Sequence, residues 1–246
     1  MNRQTRWSKI TDICKEKQSV SVDELVNYLS VSPATIRRDL QDMEDLKIIS
    51  RYHGGARINS KQYDEPHMII KSETNVKQKR LIALLAASLI KDNQMVYLDA
   101  GSTTLEIIQY IKAKNITVVT PGIRHIFELA ERDIPVIVLG GPFRPETEAV
   151  AGRNTVEQIK TMFFDIAFIG TNGIHEKIGF TTSNETEAAT KAAAIKQCKS
   201  PYIVTDSSKF NILNPVRFAD LEEATIITDS VPEGFDTDRV KYILTD

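Results

Sequence analysis

The strongest constraint on the fold is an alternation of short apolar runs with helical stretches, which starts near residue 80 and continues along the chain. The expected strands are 95–99, 116–120, 134–139, 166–170, 202–205, 225–228 and 241–244, and the expected helices are 81–90, 105–111, 125–131, 156–163 and 185–198. The strands are rich in Val, Ile and Leu without a polar alternation, so both of their faces must be buried. We therefore expect an α/β domain over residues 80–246, with a mostly parallel sheet covered by helices on both faces.

A polar loop follows the first of these strands, in the sequence DAGSTT at residues 99–104. Ligands of parallel α/β sheets bind at the carboxyl ends of strands, and Gly101 permits a tight turn before Ser102, Thr103 and Thr104 open a helix. Free N–H groups at a helix start, together with three hydroxyls, favour an oxyanion such as phosphate. Helix capping by Ser102 or Thr103 is the alternative interpretation.

The ends of other strands are also rich in glycine and polar side chains. These ends comprise Thr120 with Pro121 and Gly122, Gly140 with Gly141, residues 170–173, and Asp206 with Lys209. Glycine at converging strand ends lets the backbone approach a ligand closely. Glu187 and Lys191 lie four residues apart on an expected helix, a spacing that is equally typical of a surface ion pair.

Residues 1–57 show a different pattern, that of three short amphipathic helices. Apolar residues recur at helical spacing within 10–14 and 25–29, and Ser21 is placed to cap the second helix. Ser32 suits the N-cap of a third helix and Pro33 its first position, so this helix continues from Ala34. Two helices joined by about four residues have the geometry of a helix-turn-helix DNA reader.

The third helix has one apolar face and one polar face. Ile36, Leu40 and Met43 are expected to face inward. The opposite face carries Thr35, Arg37, Arg38 and Gln41. Exposed guanidinium groups on such a helix favour contact with DNA, although a solvated face of a three-helix bundle is the alternative.

A two-stranded wing is expected directly after the third helix. Residues 48–52 and 56–58 read as short strands about a turn at Gly54 and Gly55. Arg51, His53 and Arg57 would then lie near its tip, against DNA phosphates.

The boundary between the two parts is expected within residues 58–79, which are polar, contain one proline and lack a sustained period. We interpret them as a linker between a DNA-binding domain over residues 1–57 and the α/β domain over residues 80–246. Residues 1–57 hold ten Lys and Arg and eight Asp and Glu, whereas the whole chain has a net charge of −2. Any DNA contact must therefore use a local basic patch.

Composition excludes several other classes of protein. The chain has only two cysteines, Cys14 and Cys198, without the spacing of a zinc site or a disulfide framework, so we expect two buried thiols, no metal and no cofactor. The most apolar stretch, at 81–90, is ten residues long, against about 20 needed to span a bilayer. No apolar signal-peptide core is present at the N-terminus, so we expect a cytoplasmic protein that does not bind membranes.

The run SPATIRRDLQDME, followed by RYHGGA, resembles the signature of the DeoR family of bacterial transcription regulators. That resemblance covers nearly all of residues 1–57 and implies a winged helix-turn-helix. The residues expected at the DNA are Ser32, Thr35, Arg37, Arg38, Gln41, Arg51, His53 and Arg57.

The segments DAGSTT, TSNETEAATK and VTDSSKF resemble the effector domain of the same family, whose fold is similar to ribose-5-phosphate isomerase. Sugar phosphates bind such domains at the strand ends. The resemblance carries anion binding to Asp99, Gly101, Ser102, Thr103 and Thr104. It also implies that six residues contact the sugar or form the pocket wall, namely Gly140, Gly141, Glu187, Lys191, Asp206 and Lys209. We expect Thr120 to belong to the same effector site.

Two departures from the family pattern concern the chemistry of this pocket. Where relatives often have VTN, this chain has Pro121, which removes a polar side chain and a backbone donor. Where the isomerase-like enzymes have an acidic pair, this chain has Thr171 and Asn172. Isomerisation needs a base at the substrate carbon, and without that pair only Glu187 and Asp206 remain as candidates, which favours binding without turnover.

The resemblance implies a transcription regulator, interpreted as a repressor of a sugar-utilisation operon that a phosphorylated sugar releases from operator DNA. The segments YLDAGSTTLEI, ITVVT, AFIGTNGIH and GFTT are similar to the fructose-operon branch, so fructose 1-phosphate is the first expectation. Paired half-sites in DNA require a homodimer or a homotetramer. A sugar-phosphate isomerase or transferase with an appended helical domain, and a protein-interaction module, are the alternatives.

Overall fold

The computed structural model describes residues 1–45, 48–58 and 67–245. It divides into two compact units, Met1–Thr74 and Asn75–Asp246. Among the described residues, no helix is long and apolar enough to cross a membrane.

The first unit is a winged helix-turn-helix. Its helices are α1 (Arg3–Lys17), α2 (Val22–Leu29), α3 (Pro33–Asp45) and α4 (Met68–Glu73), and its strands are β1 (Ser19–Ser21), β2 (Ile49–Tyr52) and β3 (Gly55–Ile58). The strands form an antiparallel sheet in the order β1-β3-β2. The predicted three helices and the two-stranded wing are confirmed, and β1 is an additional strand that sequence reasoning missed.

Local sequence explains where the helices of this unit begin. Ser21 and Glu24 form a capping box at α2, each side chain bonding the other residue's backbone N–H. The Ser32 hydroxyl accepts from the backbone N–H of Thr35, 3.2 Å away, and so caps α3 as predicted. Ile36 of α3 is completely buried in the core of this unit.

The sequence predicts a linker over residues 58–79, and the described part of that range differs from the prediction. Residues 68–73 form α4, and the first helix of the second unit starts at Val76. Ile70 is buried and packs in the core of the first unit, whereas Lys79 is buried in the second. A helix of six residues is too short to give a periodic signal, which explains why the sequence pattern missed α4. Residues 59–66 lie outside the described residues.

The second unit is a parallel α/β domain. Its helices are α5 (Val76–Ser88), α6 (Ser102–Ile108), α7 (Ile123–Ala130), α8 (Arg153–Lys160) and α9 (Glu185–Lys196). Its strands are β4 (Met95–Leu98), β5 (Thr117–Thr120), β6 (Val136–Val138), β7 (Phe143–Arg144), β8 (Ala149–Val150), β9 (Ile166–Gly170), β10 (Gly173–His175), β11 (Gly179–Thr182), β12 (Pro201–Val204), β13 (Val216–Ala219), β14 (Thr225–Thr228) and β15 (Tyr242–Leu244).

The main sheet has seven strands in the order β15-β14-β12-β9-β4-β5-β6. All six strand pairs are parallel, as the continuous apolar runs predict. From β4 the chain adds β5 and β6 on one side and then returns to place β9 on the other. The strand order therefore reverses between β4 and β9, which is where such sheets open a crevice for ligands.

Core packing covers both faces of this sheet. Val96 and Leu98 of β4 belong to one core cluster, whereas Tyr97 between them belongs to the other. Helix α5 supplies Ile82 to the first cluster and α9 supplies Ala194 to the second. The predicted two layers of helices are therefore confirmed.

Two small antiparallel elements were not expected from the sequence. One is the three-stranded sheet β10-β11-β13, and the other is the hairpin of β7 with β8. These strands are two to four residues long, too short for a reliable sequence signal. Thr181 and Thr182 of β11 are also completely buried, although threonine does not count as apolar in such a pattern.

Candidate functional site

A buried ion pair lies where the strand order reverses. The Asp99 carboxylate follows β4 and forms an ion pair with the Lys191 ammonium from α9, and both side chains are at least nine-tenths buried. Asp99 Oδ2 also accepts from the backbone N–H of Gly170 at 3.0 Å. Lys191 Nζ donates to the Gly170 carbonyl at 3.0 Å and lies 5.8 Å from the Phe218 ring centroid. The pair thus links the carboxyl ends of β4 and β9 to α9.

The predicted anion loop lies beside this pair, because Asp99 is its first residue. Helix α6 starts at Ser102, with Gly101 as an N-cap that makes no side-chain capping bond. Capping by Ser102 or Thr103 is therefore wrong as an explanation of these residues. Both are nearly buried in the first turn, three positions before the helix start that apolar periodicity predicts.

His125 is a site residue that sequence reasoning missed. The Thr104 hydroxyl lies 2.5 Å from the Asp99 carbonyl and 3.0 Å from the Gly101 carbonyl, so its single proton goes to a carbonyl. His125 Nε2, 3.1 Å from the same hydroxyl, must then be the donor. His125 Nδ1 is left as a buried acceptor without a partner among the described residues.

His125 is neutral in this environment. Burial lowers its pKa from 6.5 to about 3, because the protonated ring would lose its hydration. The ring packs on Gly122, where an added Cβ would lie 2.4 Å from Nδ1. The sequence does contain a signal for this buried histidine. Gly122 follows β5, and His125 comes three residues later, in the first turn of α7.

Glu187 on α9 is tied to the β7–β8 hairpin. Its Oε1 accepts from Arg144 Nε at 3.0 Å and from the Thr147 hydroxyl at 2.7 Å. The interpretation of Glu187 and Lys191 as a surface ion pair is wrong, since both residues are buried. Arg144 and Thr147 are further residues that the sequence pattern did not single out.

Asp206 closes the carboxyl end of β12. Its Oδ1 accepts from Asn75 Nδ2 at 2.9 Å and from the backbone N–H of Ser208 at 3.1 Å. Residues Ser207–Lys209 form a 3₁₀ turn, which leaves Lys209 half-buried. Asp229, at the end of β14, accepts from the backbone N–H of Ser207 at 2.7 Å.

The remaining predicted effector residues make no hydrogen bond described above for Asp99, Lys191, Glu187 or Asp206. Thr120 is buried and accepts from the backbone N–H of Gly122 at 3.0 Å. Gly140 and Gly141 are exposed, and the Gly140 backbone bonds the side chain of Gln158 on α8. A Cβ at Gly141 would lie 2.3 Å from the Thr155 hydroxyl, so close packing against α8 accounts for this glycine.

The two positions that depart from the acidic pair of isomerase-like enzymes have local partners. The Thr171 hydroxyl is buried and lies 2.9 Å from the Gly173 carbonyl. Asn172 Nδ2 donates to the Thr182 and Ser183 hydroxyls, each at 3.3 Å. Both side chains therefore bond within the β10–β11 region.

The residues predicted to contact DNA are exposed, with one exception. Ser32, Arg37, Arg38, Gln41, Arg51, His53 and Arg57 are exposed, whereas Thr35 is half-buried. Gln41 donates to Asp45 at 2.9 Å and accepts a hydrogen bond from Arg51. The arrangement brings α3 and the wing strand β2 together.

A buried carboxylate anchors α3. Asp39 accepts from Arg6 through both of its oxygens, at 2.6 and 3.0 Å, and from the Trp7 indole at 3.1 Å. Asp39 is 2% exposed, and its partners all lie on α1. This contact holds α3 against α1, and sequence reasoning did not identify it.

Neither cysteine has a partner that indicates metal chemistry. Cys14 is buried as expected, whereas Cys198 is only half-buried, and both are free thiols. Burial raises the pKa of Cys14 to about 11 and that of Cys198 to about 12. Within the described ranges, no group of three or more His, Cys, Asp or Glu side chains could hold a metal ion.

The fold and these sites define the class of protein, a DNA-binding transcription regulator with a separate α/β domain. Two protein families match this chain. Residues 6–62 match the family described as "DeoR-like helix-turn-helix domain", and residues 74–230 match the family described as "DeoR C terminal sensor domain". The chain belongs to the DeoR family of transcription regulators and is a regulator rather than an enzyme.

Relatives of known name extend over nearly the whole chain. The uncharacterized HTH-type transcriptional regulator FruR of Bacillus subtilis is 40% identical over 97% of this chain and 96% of its own. The HTH-type transcriptional regulator GlpR of Haloferax volcanii is 34% identical over 96% of this chain and 93% of its own. The lactose phosphotransferase system repressor of Staphylococcus epidermidis is 32% identical over 94% of this chain and 93% of its own.

Solved structures similar to this chain include D-ribose-5-phosphate isomerase in complex with phospho-erythronic acid. That match has 17% sequence identity and a TM-score of 0.42, and it covers 55% of this chain and 54% of the isomerase.

Proposed function

We propose that this regulator represses a sugar-utilisation operon and leaves its operator when a phosphorylated sugar, first of all fructose 1-phosphate, binds the α/β unit. One observation carries the proposal. The Asp99–Lys191 pair and the loop at Ser102–Thr104 lie together where the parallel sheet opens, in a chain that also carries a winged helix-turn-helix. The similarity to a regulator named FruR and to lactose phosphotransferase repressors supports a role in sugar metabolism.

The effector's phosphate binds the first turn of α6 in this proposal. Ser102 and Thr103 supply hydroxyls and backbone N–H groups there, and Thr104 holds the turn through its bonds to the Asp99 and Gly101 carbonyls. The Lys191 ammonium is paired with the Asp99 carboxylate beside this turn, so the pair adds polar groups to the site without a net charge.

The sugar extends from the phosphate toward α9 and the end of β12. Its hydroxyls bond Asp99, Glu187 and Asp206, whose carboxylates accept hydrogen bonds. Lys209 closes the pocket wall. Thr120, Gly140 and Gly141 contribute less, since their contacts are made within β5 and with α8.

The chemistry favours binding over turnover. A carboxylate that acts as general base must be free to take a proton from the substrate carbon. Glu187 instead accepts hydrogen bonds from Arg144 and Thr147, and the neutral Thr171 and Asn172 are bonded locally. Binding alone is enough to shift the equilibrium between two arrangements if the sugar prefers the one that cannot hold DNA.

The regulator acts in the cytoplasm as a homodimer or homotetramer in this proposal, because two recognition helices are needed to contact two half-sites of an operator. Arg37 and Arg38 provide the exposed charge on each copy, with Arg51, His53 and Arg57 on the wing.

The test is a titration of operator binding against phosphorylated ketoses. An operator duplex is first selected from a random library with the full chain, and release is then followed by fluorescence anisotropy with fructose 1-phosphate, tagatose 6-phosphate and unphosphorylated fructose. We expect release by a phosphorylated ketose and none by fructose. Failure of every phosphorylated sugar to release the DNA would contradict the effector assignment.

Site variants then locate the effector. Lys209→Ala and Asp99→Asn should bind the operator as the unaltered protein does but need a higher sugar concentration for release. Lys196→Ala is the matched control, because Lys196 lies on α9 but is exposed. If release by the sugar is unchanged in Lys209→Ala or Asp99→Asn, the altered residue does not belong to the site.

A further inference from the structure

The DNA-binding unit has a cleft between α1 and the start of α3. It has a volume of about 270 Å³ and is lined by Arg3, Arg6, Ala34, Thr35, Arg38 and Asp39. Three of its six lining residues carry a guanidinium group, against one carboxylate. The cleft is therefore positively charged, although the chain as a whole is slightly acidic.

The charges in the cleft are not equivalent. Asp39 and Arg6 neutralise each other through two hydrogen bonds, and both are largely buried. The positive charge that remains available to a ligand is therefore that of Arg3 and Arg38. Arg38 is exposed and has no ion-pair partner among the residues that the structure describes.

Arg3 is held at the cleft rather than free in solvent. Its guanidinium carbon lies 4.6 Å from the centre of the Trp7 ring, and Trp7 is itself buried. Its Nη2 atom also lies 2.5 Å from Asp42 on α3, in a pair whose side chains are 55% and 33% exposed. Exposed pairs of this kind are weak, so a stronger anion can recruit the Arg3 guanidinium.

We propose that this cleft binds a phosphate of the DNA backbone, which Arg3 from α1 and Arg38 from α3 contact together. Arg38 and Thr35 belong both to the cleft and to the expected DNA-facing side of α3, so the cleft continues that surface onto α1. A phosphodiester fits the available charge, and contacts of this kind set the position of a recognition helix on the duplex without reading its sequence. Arg3 then extends the DNA interface to the N-terminal helix.

The experiment measures the salt dependence of binding by the full chain to a labelled mixed-sequence duplex, which depends on phosphate contacts and needs no known operator. The variants are Arg3→Ala, Arg3→Lys and Lys9→Ala. Lys9 is the matched control, since it is an exposed cation on α1 that does not line the cleft. Thermal melting of each variant verifies that the unit remains folded.

We expect Arg3→Ala to reduce the slope of log affinity against log salt by about one unit, as the loss of one phosphate contact does. Arg3→Lys should retain most of the slope, because it keeps the charge, and Lys9→Ala should leave the slope unchanged. Asp42→Asn should tighten binding when Arg3 is present, and do so less in the Arg3→Ala background.

An Arg3→Ala slope equal to that of the unaltered protein, or equal to that of Lys9→Ala, would overturn the inference. If the unaltered protein binds no duplex at all, the DNA-binding function itself fails, and that outcome is distinct from an unchanged slope.

Discussion

The environment of His125 makes a quantitative prediction about stability against pH. The folded pKa is about 3 and the ordinary value is 6.5, so the unfolded chain takes up a proton at this ring well before the folded chain does. The contribution of His125 to the unfolding free energy is therefore fully present above the pKa of the unfolded chain, and it is lost as the pH drops from 6.5 toward 3. Integrating this difference gives a loss of about 2 kcal/mol between about pH 8 and about pH 5.

A His125→Gln variant isolates this contribution. Glutamine retains an N–H donor for the Thr104 hydroxyl but does not titrate, and the carboxylates and other histidines contribute equally to both proteins. We expect the unfolding free energy of the α/β unit to fall by about 2 kcal/mol less in the variant over the same pH range. The absolute stability of the variant at high pH does not affect this comparison.

The assay is urea unfolding at several pH values, with two probes. The single tryptophan lies in the first unit and follows that unit, whereas far-UV circular dichroism also follows the α/β unit. We expect the pH dependence of the unfolding free energy to differ between the two proteins when circular dichroism is the probe. With tryptophan fluorescence as the probe, we expect no difference between them. Parallel pH dependence of the two proteins would refute the argument that His125 is buried and neutral.

Three further predictions concern other described contacts. Asp39→Asn should destabilise the first unit by about 3 kcal/mol, because it leaves the Arg6 guanidinium buried without a charged partner, and tryptophan fluorescence in urea measures the loss. Cys14 and Cys198 should react slowly with a thiol reagent near pH 8 and rapidly after unfolding, because burial raises both pKa values; fast reaction of the folded protein would contradict the described burial. Gly173→Ala should lower the melting temperature of the α/β unit, since the new Cβ would lie 2.3 Å from a backbone carbonyl oxygen, and an unchanged melting curve would show that the loop yields.

The two-domain architecture could be predicted because its signals are local and periodic. The strands Ile166–Gly170 and Thr225–Thr228 occur at the predicted residues, since fully buried parallel strands are apolar from end to end. The N-cap at Ser32 was also predictable, because it depends only on a hydroxyl and the following turn.

The parts that were missed depend on contacts distant in sequence or on short elements. The ion pair of Asp99 with Lys191 joins residues 92 positions apart, and no spacing rule brings them together. Asp39 follows two exposed arginines on α3, and only its packing against Arg6 and the Trp7 indole shows that it is buried.

Two sequence signals differ about where helix α6 starts. Apolar periodicity places the start at residue 105, whereas the first turn consists of Ser102, Thr103 and Thr104. The glycine turn followed by three hydroxyl residues predicted that first turn, so the chemistry of the loop locates a helix start that apolar periodicity predicts late.

The attachment of α3 through Asp39 has a consequence for how regulators of this kind diversify. The carboxylate that fastens the helix bonds residues of α1, while Arg37 and Gln41 on the same helix are exposed to solvent. Substitutions at the outward positions can therefore change which DNA sequence is preferred without loosening the helix. A duplicated gene could acquire a new set of target promoters by a few exchanges on this one face while its scaffold remains intact.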